Sequence, residues 1–410
     1  MTLQNNHFVI LRKRIANMKK IVFLILFSFF TTATIFSQKV LIDHIIDSIG
    51  KIYVPDKRIA VYHLSTQTKD NEVILKGNIS DKIAYRKLIQ ALKNKNLTFS
   101  DSIALLPEMT MGKKHWSIVP LSAIYIRKNP DFASELITQA LMGTPVKVLD
   151  RHRGWKLIQT PDQYIGWTNV NLPLFTKKEL HKTNQYEKLI VTKTHAIVYE
   201  KPSVHSSLLM EVILGDIMEL SDPKTINNFY SVSLPDGSKG FIQRSSAITL
   251  GKWHDSFHLT GENIVNTARL FMGLPYLWGG ASIRGCDCSG FVKMVYFMYG
   301  IILPRDASQQ FFSGETINMG KEYENLQKGD LLFFGKKFAL HPEQSHIEHV
   351  AIYMGDRLFI HSLEKVHISS LNPDSPFFDA YNTTRLVGAK RIIGSQKINY
   401  WTYFEHAWNR

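Results

Sequence analysis

The chain has 410 residues, of which 44% are hydrophobic, and a formal net charge of +14. This length excludes a typical single domain and predicts two to four compact units, with enough apolar side chains for ordinary cores. The two cysteines, Cys286 and Cys288, are separated by one residue, which excludes a long-range disulfide framework.

The positive charge is scattered along the chain and does not concentrate on one predicted helix. We therefore expect no nucleic-acid partner. We interpret the charge as a solvated basic surface that suits the anionic polymers of a cell envelope.

Residues 1–37 are predicted to be a signal peptide. The positive stretch "LRKRIANMKK" precedes the apolar "IVFLILFSFF", and the small and polar "TTATIFSQ" places a cleavage site near Ser37. No cysteine lies near that site, so we expect no lipid anchor. The prediction is an exported, periplasmic protein without stable membrane insertion after cleavage, and a retained membrane anchor is the alternative.

Residues 38–112 are predicted to form a small unit of mixed α/β structure. "IAVYHLSTQT" and "EVILKGNI" have the pattern of strands, and "SDKIAYRKLIQALKNK" that of an amphipathic helix capped by Ser80 or Asp81. We assign no chemistry to this unit.

Residues 113–178 and 186–250 are predicted to be two copies of one small β-barrel. "IYIRKNPDFASELITQALMGTPVKVL" aligns with "AIVYEKPSVHSSLLMEVILGDIMEL", and "DQYIGWT" aligns with "GSKGFIQ". Both stretches are rich in strand patterns separated by regular turn signals. Two unrelated sets of β-hairpins are the alternative.

Residues 255–400 are predicted to be an α+β domain. The helical patterns "TGENIVNTARLFMG" and "SGFVKMVYFMYG", the second ending at Gly300, come first. Strand patterns follow in "DLLFFG", "HVAIYMG", "RLFIHSL" and "RLVGAKRII". Helices followed by an antiparallel set of strands are typical of the α+β class.

Cys288 is predicted to be a nucleophile at the start of the second helix. The helix dipole and unpaired backbone N–H groups there would stabilise a thiolate and lower its pKa. The surrounding "GGASIRG" and "SG" are poor core filler, which argues against a buried structural cysteine. We interpret Cys286 as a packing residue beneath this turn; a redox pair with Cys288 is opposed by strain.

A cysteine nucleophile needs a base and a third group that orients the base. "HVAIYMGDRLFIHS" offers His349 and His361 on two consecutive predicted strands. A two-residue loop at Gly355-Asp356 would turn His361 to the other face, whereas a three-residue loop would bring the imidazoles together. We therefore predict an odd loop or a bulge, with one histidine as base and the other holding its tautomer.

Zinc is the competing use of these histidines. "HPEQSHIEHV" adds His341 and His346 to His349, but "CDC" is tighter than the usual spacing of zinc ligands. We expect no metal and no other cofactor, and we interpret His341 and His346 as loop residues without a role.

Together, "PYLWGG", "GCDCSGFV", "LPRDASQQ", "KGDLLFF", "HVAIYMG" and "FIHS" resemble the NlpC/P60 cysteine peptidases of bacterial cell-wall turnover. The motifs follow the family's order over most of residues 260–395, and the whole plan resembles the family's gamma-D-glutamyl-L-diamino acid endopeptidases. The resemblance implies a papain-like catalytic domain after two SH3-like β-barrels. It also implies a monomer that hydrolyses peptidoglycan peptides with a free amino-terminal L-alanine.

The resemblance further implies roles for individual residues. Cys288 would be the nucleophile, His349 the general base and His361 the orienting third member, with the Tyr276 hydroxyl directed toward the oxyanion. The substrate would be bound by a larger set of side chains: Asp287, Ser289, Trp278 and Arg305 at the cleft, and Glu135 and Tyr164 from the first SH3-like domain. For Glu135 and Tyr164, a loop acid and a core aromatic are the alternatives.

Other activities stay open at this point. An open cleft would admit intact stem peptides of the wall, with the SH3-like pair as a wall-binding module. A catalytically inactive wall-binding adaptor and an acyltransferase on the same fold are further alternatives, although no member of the predicted triad is missing.

Overall fold

The structure, a computed structural model, describes residues 14, 17–20, 35–70, 72–183, 185–256, 258–337 and 345–395. The apolar stretch of the predicted signal peptide and His341 lie outside these residues. Among the helices that the structure describes, none is both long and apolar enough to cross a membrane. The chain divides into two compact units, Met1–Thr110 and Met111–Arg410.

The first unit is a three-stranded sheet with helices. Its elements are α1 (residues 35–53), β1 (Tyr62–Lys69), β2 (Glu72–Ile79), α2 (Lys82–Asn94), β3 (Ser100–Leu105) and, ending just beyond the unit boundary, α3 (Glu108–Met111). Strand β1 is antiparallel to β2, and α2 connects β2 to the parallel β3. Asp81 caps α2 by accepting a hydrogen bond from the Ala84 amide. The two strands and the helix predicted here are confirmed.

The second unit begins with two seven-stranded sheets, which we name the first and second repeats. The first repeat consists of β4 (Lys114–Ile118), β5 (Ala123–Arg127), β6 (Leu136–Leu141), β7 (Pro145–His152), β8 (Trp155–Gln159), β9 (Ile165–Thr168) and β10 (Phe175–Thr176) and is followed by α4 (Lys177–Thr183). The second repeat consists of β11 (Lys188–Val191), β12 (His195–Tyr199), β13 (Leu208–Ile213), β14 (Ile217–Ile226), β15 (Phe229–Ser233), β16 (Lys239–Gln243) and β17 (Ala247–Thr249), with a 3₁₀ turn at Arg244–Ser246, and is followed by α5 (Leu250–Asp255).

The two repeats share one strand order. It is β6-β5-β9-β8-β7-β4-β10 in the first and β13-β12-β16-β15-β14-β11-β17 in the second, so corresponding strands occupy corresponding places. Individual backbone bonds correspond as well: Lys128 N–H donates to Glu135 O (3.0 Å), and Glu200 N–H donates to Ser207 O (3.0 Å). The internal repeat predicted from the sequence is therefore confirmed.

The remainder of the chain, which we name the C-terminal part, is an α+β structure. Its elements are α6 (Gly261–Arg269), β18 (Ala281–Ser282), β19 (Gly285–Cys286), α7 (Cys288–Phe297), α8 (Ala307–Gln310), β20 (Glu315–Ile317), β21 (Leu331–Lys336), β22 (His346–Gly355), β23 (Leu358–Leu363), β24 (Lys365–Ser370), α9 (Ala380–Thr384) and β25 (Leu386–Arg391). Six strands form one antiparallel sheet in the order β20-β25-β21-β22-β23-β24. The predicted α+β class is confirmed, whereas six further elements were not predicted: α8, α9, β18, β19, β20 and β24.

Helix α7 is the central element of this part. Phe291, Val292 and Val295 are fully buried, and the helix packs against β22 and β23. Its start lies so close to the preceding loop that a Cβ on Gly290 would be 2.0 Å from the Gly280 carbonyl oxygen. This close approach fixes the first turn of α7 against that loop, and the candidate site is built there.

Candidate active site

Cys288 is the first residue of α7 and is 8% exposed. The preceding Asp287 caps the helix, accepting a hydrogen bond from the Gly290 amide (2.8 Å). The sulfur accepts a hydrogen bond from the backbone amide of Val350, the residue after His349 on β22. The start of α7 thus places the thiol of Cys288 against β22, the strand that carries His349.

The β22–β23 hairpin brings His349 and His361 together. Ile352 is paired with Ile360, and the register shifts between Tyr353 and Gly355, which is a β-bulge. His349 lies three residues before this pair and His361 one residue after it, so both point to the same face. Nε2 of His349 is 2.8 Å from Nδ1 of His361. The predicted bulge that unites the two imidazoles is confirmed.

Ser369 extends this pair of rings into a relay that the sequence analysis missed. Nε2 of His361 is 3.1 Å from Oγ of Ser369 on β24, and both residues are buried. Two proton arrangements satisfy both bonds. In one, Ser369 donates to Nε2 of His361, and His361 donates from Nδ1 to Nε2 of His349. In the other, His361 donates from Nε2 to Ser369, and His349 donates from Nε2 to Nδ1 of His361. In the second arrangement Nδ1 of His349 is an acceptor, as a base requires.

The protonation states of Cys288 and His349 differ from the sequence-based expectation. Burial raises the pKa of the Cys288 thiol to about 12, and the charge of Asp287 acts in the same direction. Burial also lowers the pKa of His349 to about 4. The expectation of a lowered thiol pKa was therefore wrong, because desolvation outweighs the helix start, and both groups are neutral near pH 7.

Tyr276 lies beside β19, the strand that precedes the nucleophile. It is half-buried, and its backbone amide is held by the Glu364 carbonyl at 2.7 Å. Burial raises the pKa of Tyr276, and a β-bridge pairs this residue with Cys286, two residues before the nucleophile. A role for this hydroxyl at an oxyanion stays a prediction.

Asp287 and Ser289, on either side of the nucleophile, are tied to Arg305. The guanidinium makes a bidentate pair with the Asp287 carboxylate (3.0 and 2.5 Å) and donates to Ser289 Oγ (3.0 Å). Arg305 is 1% exposed, so the expectation that it lines the cleft is corrected: it lies beneath the nucleophile turn and supports it. Substrate contacts of Asp287 and Ser289 stay predictions.

Two polar contacts join the first repeat to this site. The exposed Trp278 donates from its indole N–H to Oε1 of Glu135 (2.9 Å). The hydroxyl of Tyr164, which is buried, donates to Oδ2 of Asp306 (3.0 Å). Glu135 thus reaches the loop before the nucleophile, whereas the described hydroxyl contact of Tyr164 anchors the first repeat to the C-terminal part.

Cys286 and His346 have other tasks. Cys286 is fully buried in the core beneath the site, and both cysteines are free thiols, so the predicted packing role is confirmed. His346 begins β22 and pairs with Glu348 at 3.1 Å, so its expected place in a loop was wrong.

Sequence comparisons match two parts of the chain to known families. Residues 273–389 match the NlpC/P60 family, and residues 126–171 match the bacterial dipeptidyl-peptidase SH3 domain. The first match contains every residue of the relay and the nucleophile, and the second lies within the first repeat.

Similar proteins match more than half of the chain. A gamma-D-glutamyl-L-lysine dipeptidyl-peptidase of Bacillus cereus is 35% identical over 56% of this chain and 68% of its own length. Dipeptidyl-peptidase 6 of Lysinibacillus sphaericus is 30% identical over 63% of this chain and 94% of its own length. The crystal structure of an NlpC/P60 family protein from Bacillus cereus has a TM-score of 0.56 and 28% identity, covering 68% of this chain and 99% of that one.

Proposed function

The chain belongs to the NlpC/P60 family of cysteine peptidases, and on this premise we propose that it hydrolyses gamma-D-glutamyl–diamino acid bonds in peptides derived from peptidoglycan. The observation that carries the proposal is the delivery of the Cys288 thiol, at a helix start, to the strand of His349. Two relatives are named gamma-D-glutamyl-L-lysine dipeptidyl-peptidases, and this name supplies the bond.

The first chemical step starts from a neutral thiol and a neutral imidazole. Nδ1 of His349 takes the thiol proton as the sulfur of Cys288 attacks the side-chain carbonyl of D-glutamate. His361 stabilises the imidazolium through its 2.8 Å bond to His349. The backbone N–H groups at the helix start and the Tyr276 hydroxyl stabilise the oxyanion.

The second half of the reaction uses the proton that His349 took from the thiol. His349 donates it to the amine of the diamino acid, which leaves, and an acyl-enzyme remains on Cys288. His349 then removes a proton from water, the hydroxyl attacks the acyl carbon, and the thiol is restored with release of the D-glutamyl peptide.

The first repeat selects the amino end of the substrate in this proposal. Glu135 is held by Trp278 at the edge of the site, and its carboxylate would pair with the free ammonium of L-alanine. The substrates are thus short peptides rather than intact stem peptides. We also propose export to the periplasm, where such peptides arise from the wall.

Mass spectrometry of products tests the function directly. The protein is incubated with L-Ala-gamma-D-Glu-L-diamino acid and with its N-acetylated form. Release of the diamino acid from the free peptide and its loss in Cys288→Ala are expected, and wild-type-like hydrolysis by Cys288→Ala would contradict the proposal. Equal rates on the free and acetylated peptides would favour the open cleft and intact wall peptides.

A further inference from the structure

His349 identifies the side of the site that receives the leaving group. In the proposed function, on which this inference rests, His349 protonates the amine of the departing diamino acid. The remainder of that residue must therefore lie next to the His349 ring. Charged groups beside His349 that lie outside the first repeat are therefore candidates for binding the leaving diamino acid.

The segment around α9 brings such groups to His349. It leaves β24, where Phe378 forms a bridge with Ser370, and rejoins the sheet at β25, where Leu386 pairs with Phe334. Phe334 is in turn the cross-strand partner of His349. The residue before β25 is Arg385, whose carbonyl accepts a hydrogen bond from the Gly335 amide at 2.9 Å.

Two charges of this segment act on His349. The positive charge of Arg385 lowers the pKa of His349, and the negative charge of Asp379 raises it, although burial dominates. The Asp379 carboxylate is occupied by the amide and side chain of Asn382, at 2.9 and 2.6 Å. Asp379 thus holds the start of α9, and Arg385 is the more available of the two.

The Arg385 side chain is oriented but not enclosed. Its guanidinium lies 4.5 Å from the centre of the exposed Tyr381 ring, forms an ion pair with Glu348 through Nη2, and is 21% exposed. Within the described part of the chain, Glu348 is its one hydrogen-bonding side-chain partner. A guanidinium has five N–H donors in a planar fork, so most of them remain for a ligand.

We propose that Arg385 binds a carboxylate of the leaving diamino acid. The planar fork suits a carboxylate, and the Tyr381 ring holds it in place. That carboxylate is the α-carboxylate when the diamino acid ends the peptide, or the side-chain carboxylate when the residue is diaminopimelate. Arg385 would therefore contribute to specificity for the residue on the leaving-group side of the scissile bond. This residue is distinct from the amino end of the substrate, which Glu135 binds in the proposed function.

Four substrates separate the two carboxylates. Each is an L-Ala-gamma-D-Glu peptide, and the diamino acid is lysine, lysine amide, diaminopimelate, or diaminopimelate with the α-carboxylate amidated. Arg385→Gln is expected to lower kcat/KM roughly ten- to a hundredfold for every substrate in which the bound carboxylate is present. Lysine amide, which has no carboxylate there, should be cleaved by wild type and variant alike.

The rates on the other three substrates show which carboxylate Arg385 binds. A loss on lysine that disappears on amidated diaminopimelate assigns the α-carboxylate. A loss on both forms of diaminopimelate but not on lysine assigns the side-chain carboxylate. Arg385→Lys, which keeps the charge without the fork, should retain part of the preference.

Arg357→Gln is the matched control, because it also breaks a surface pair, with Glu322 at 2.6 Å, but at the hairpin tip. It should leave all four rates unchanged. An equal loss of Arg385→Gln on lysine amide, or no loss on any substrate, would overturn the proposal. Both results differ from failure of the proposed function, in which wild type would cleave none of the four.

Discussion

Cys288 and His349 are neutral because each of them lies at a desolvated position. Cys288 is 8% exposed and follows an acidic cap, while His349 is also 8% exposed and contacts Phe334 and His361. Desolvation penalises the charged form of each group, so a thiolate–imidazolium pair is disfavoured before substrate binds. In the proposed reaction, attack by the sulfur and proton transfer to His349 therefore occur together.

Alkylation across pH checks this neutral state. Because iodoacetamide reacts with thiolate and the pKa of Cys288 is raised to about 12, the rate should rise about tenfold per pH unit from pH 7 to 9 without a plateau. Peptide mapping assigns the label, and Cys288→Ala, which retains the fully buried Cys286, should remain unlabelled. A plateau below pH 7 would show a stable thiolate instead.

At the scale of elements, the hairpin and its neighbour β24 assemble the relay. The bulge between Tyr353 and Gly355 sets the face of both histidines, and β24 adds Ser369 behind them. Nε2 of His349 and both ring nitrogens of His361 then have partners. The tautomer of His349 therefore depends on β24, which acts on it through Ser369 and His361.

Ser369→Ala tests that control. Without the hydroxyl, His361 loses one hydrogen bond of about 1–1.5 kcal/mol, so kcat should fall about tenfold while KM stays unchanged. Ser369→Thr should restore the rate, and ¹⁵N NMR should report a changed tautomer of His361 in the alanine variant only. Ser370→Ala removes another buried hydroxyl from the same strand and should keep the wild-type kcat; an equal fall there would mean a general packing defect.

The sequence allowed the hairpin to be predicted because its logic is local. The alternation in "HVAIYMGDRLFIHS" predicts two consecutive strands, and an odd loop or a bulge near Gly355 then places His349 and His361 on one face. Arg305 and Ser369 were not open to the same reasoning, since the ion pair with Asp287 and the bond to His361 depend on packing between elements. Strand β24, in "KVHISS", is short and partly polar, a weak signal by itself.

At the scale of the whole second unit, one buried carboxyl joins the two repeats. Asp216, at the turn before β14, is fully buried and accepts hydrogen bonds from Ser122 Oγ and from the amide of Met142, both in the first repeat. It also accepts one from the amide of Ile213 at 2.9 Å. Burial raises the pKa of Asp216 to about 8, despite these bonds.

Stability should therefore depend on pH through Asp216. The folded protein retains a proton that the unfolded chain releases near pH 4, so the free energy of unfolding contributed by this group falls as pH rises from about 4 to 8. Urea denaturation at pH 5 and pH 8 should show a difference that Asp216→Asn reduces by roughly 1–3 kcal/mol. Asp222→Asn, at an exposed site of the second repeat, is the control; an unchanged difference in Asp216→Asn would contradict the assignment.

The two repeats share one strand order but carry different side chains at corresponding places. Ser207 and Ser238 of the second repeat occupy the places of Glu135 and Tyr164, as the matching backbone bonds show. The second repeat contributes Ile213 and Leu214 to the core of the C-terminal part, to which the first repeat adds Leu141. Under the proposed function, the first repeat therefore combines substrate recognition with support of the C-terminal part, whereas the second repeat provides support alone.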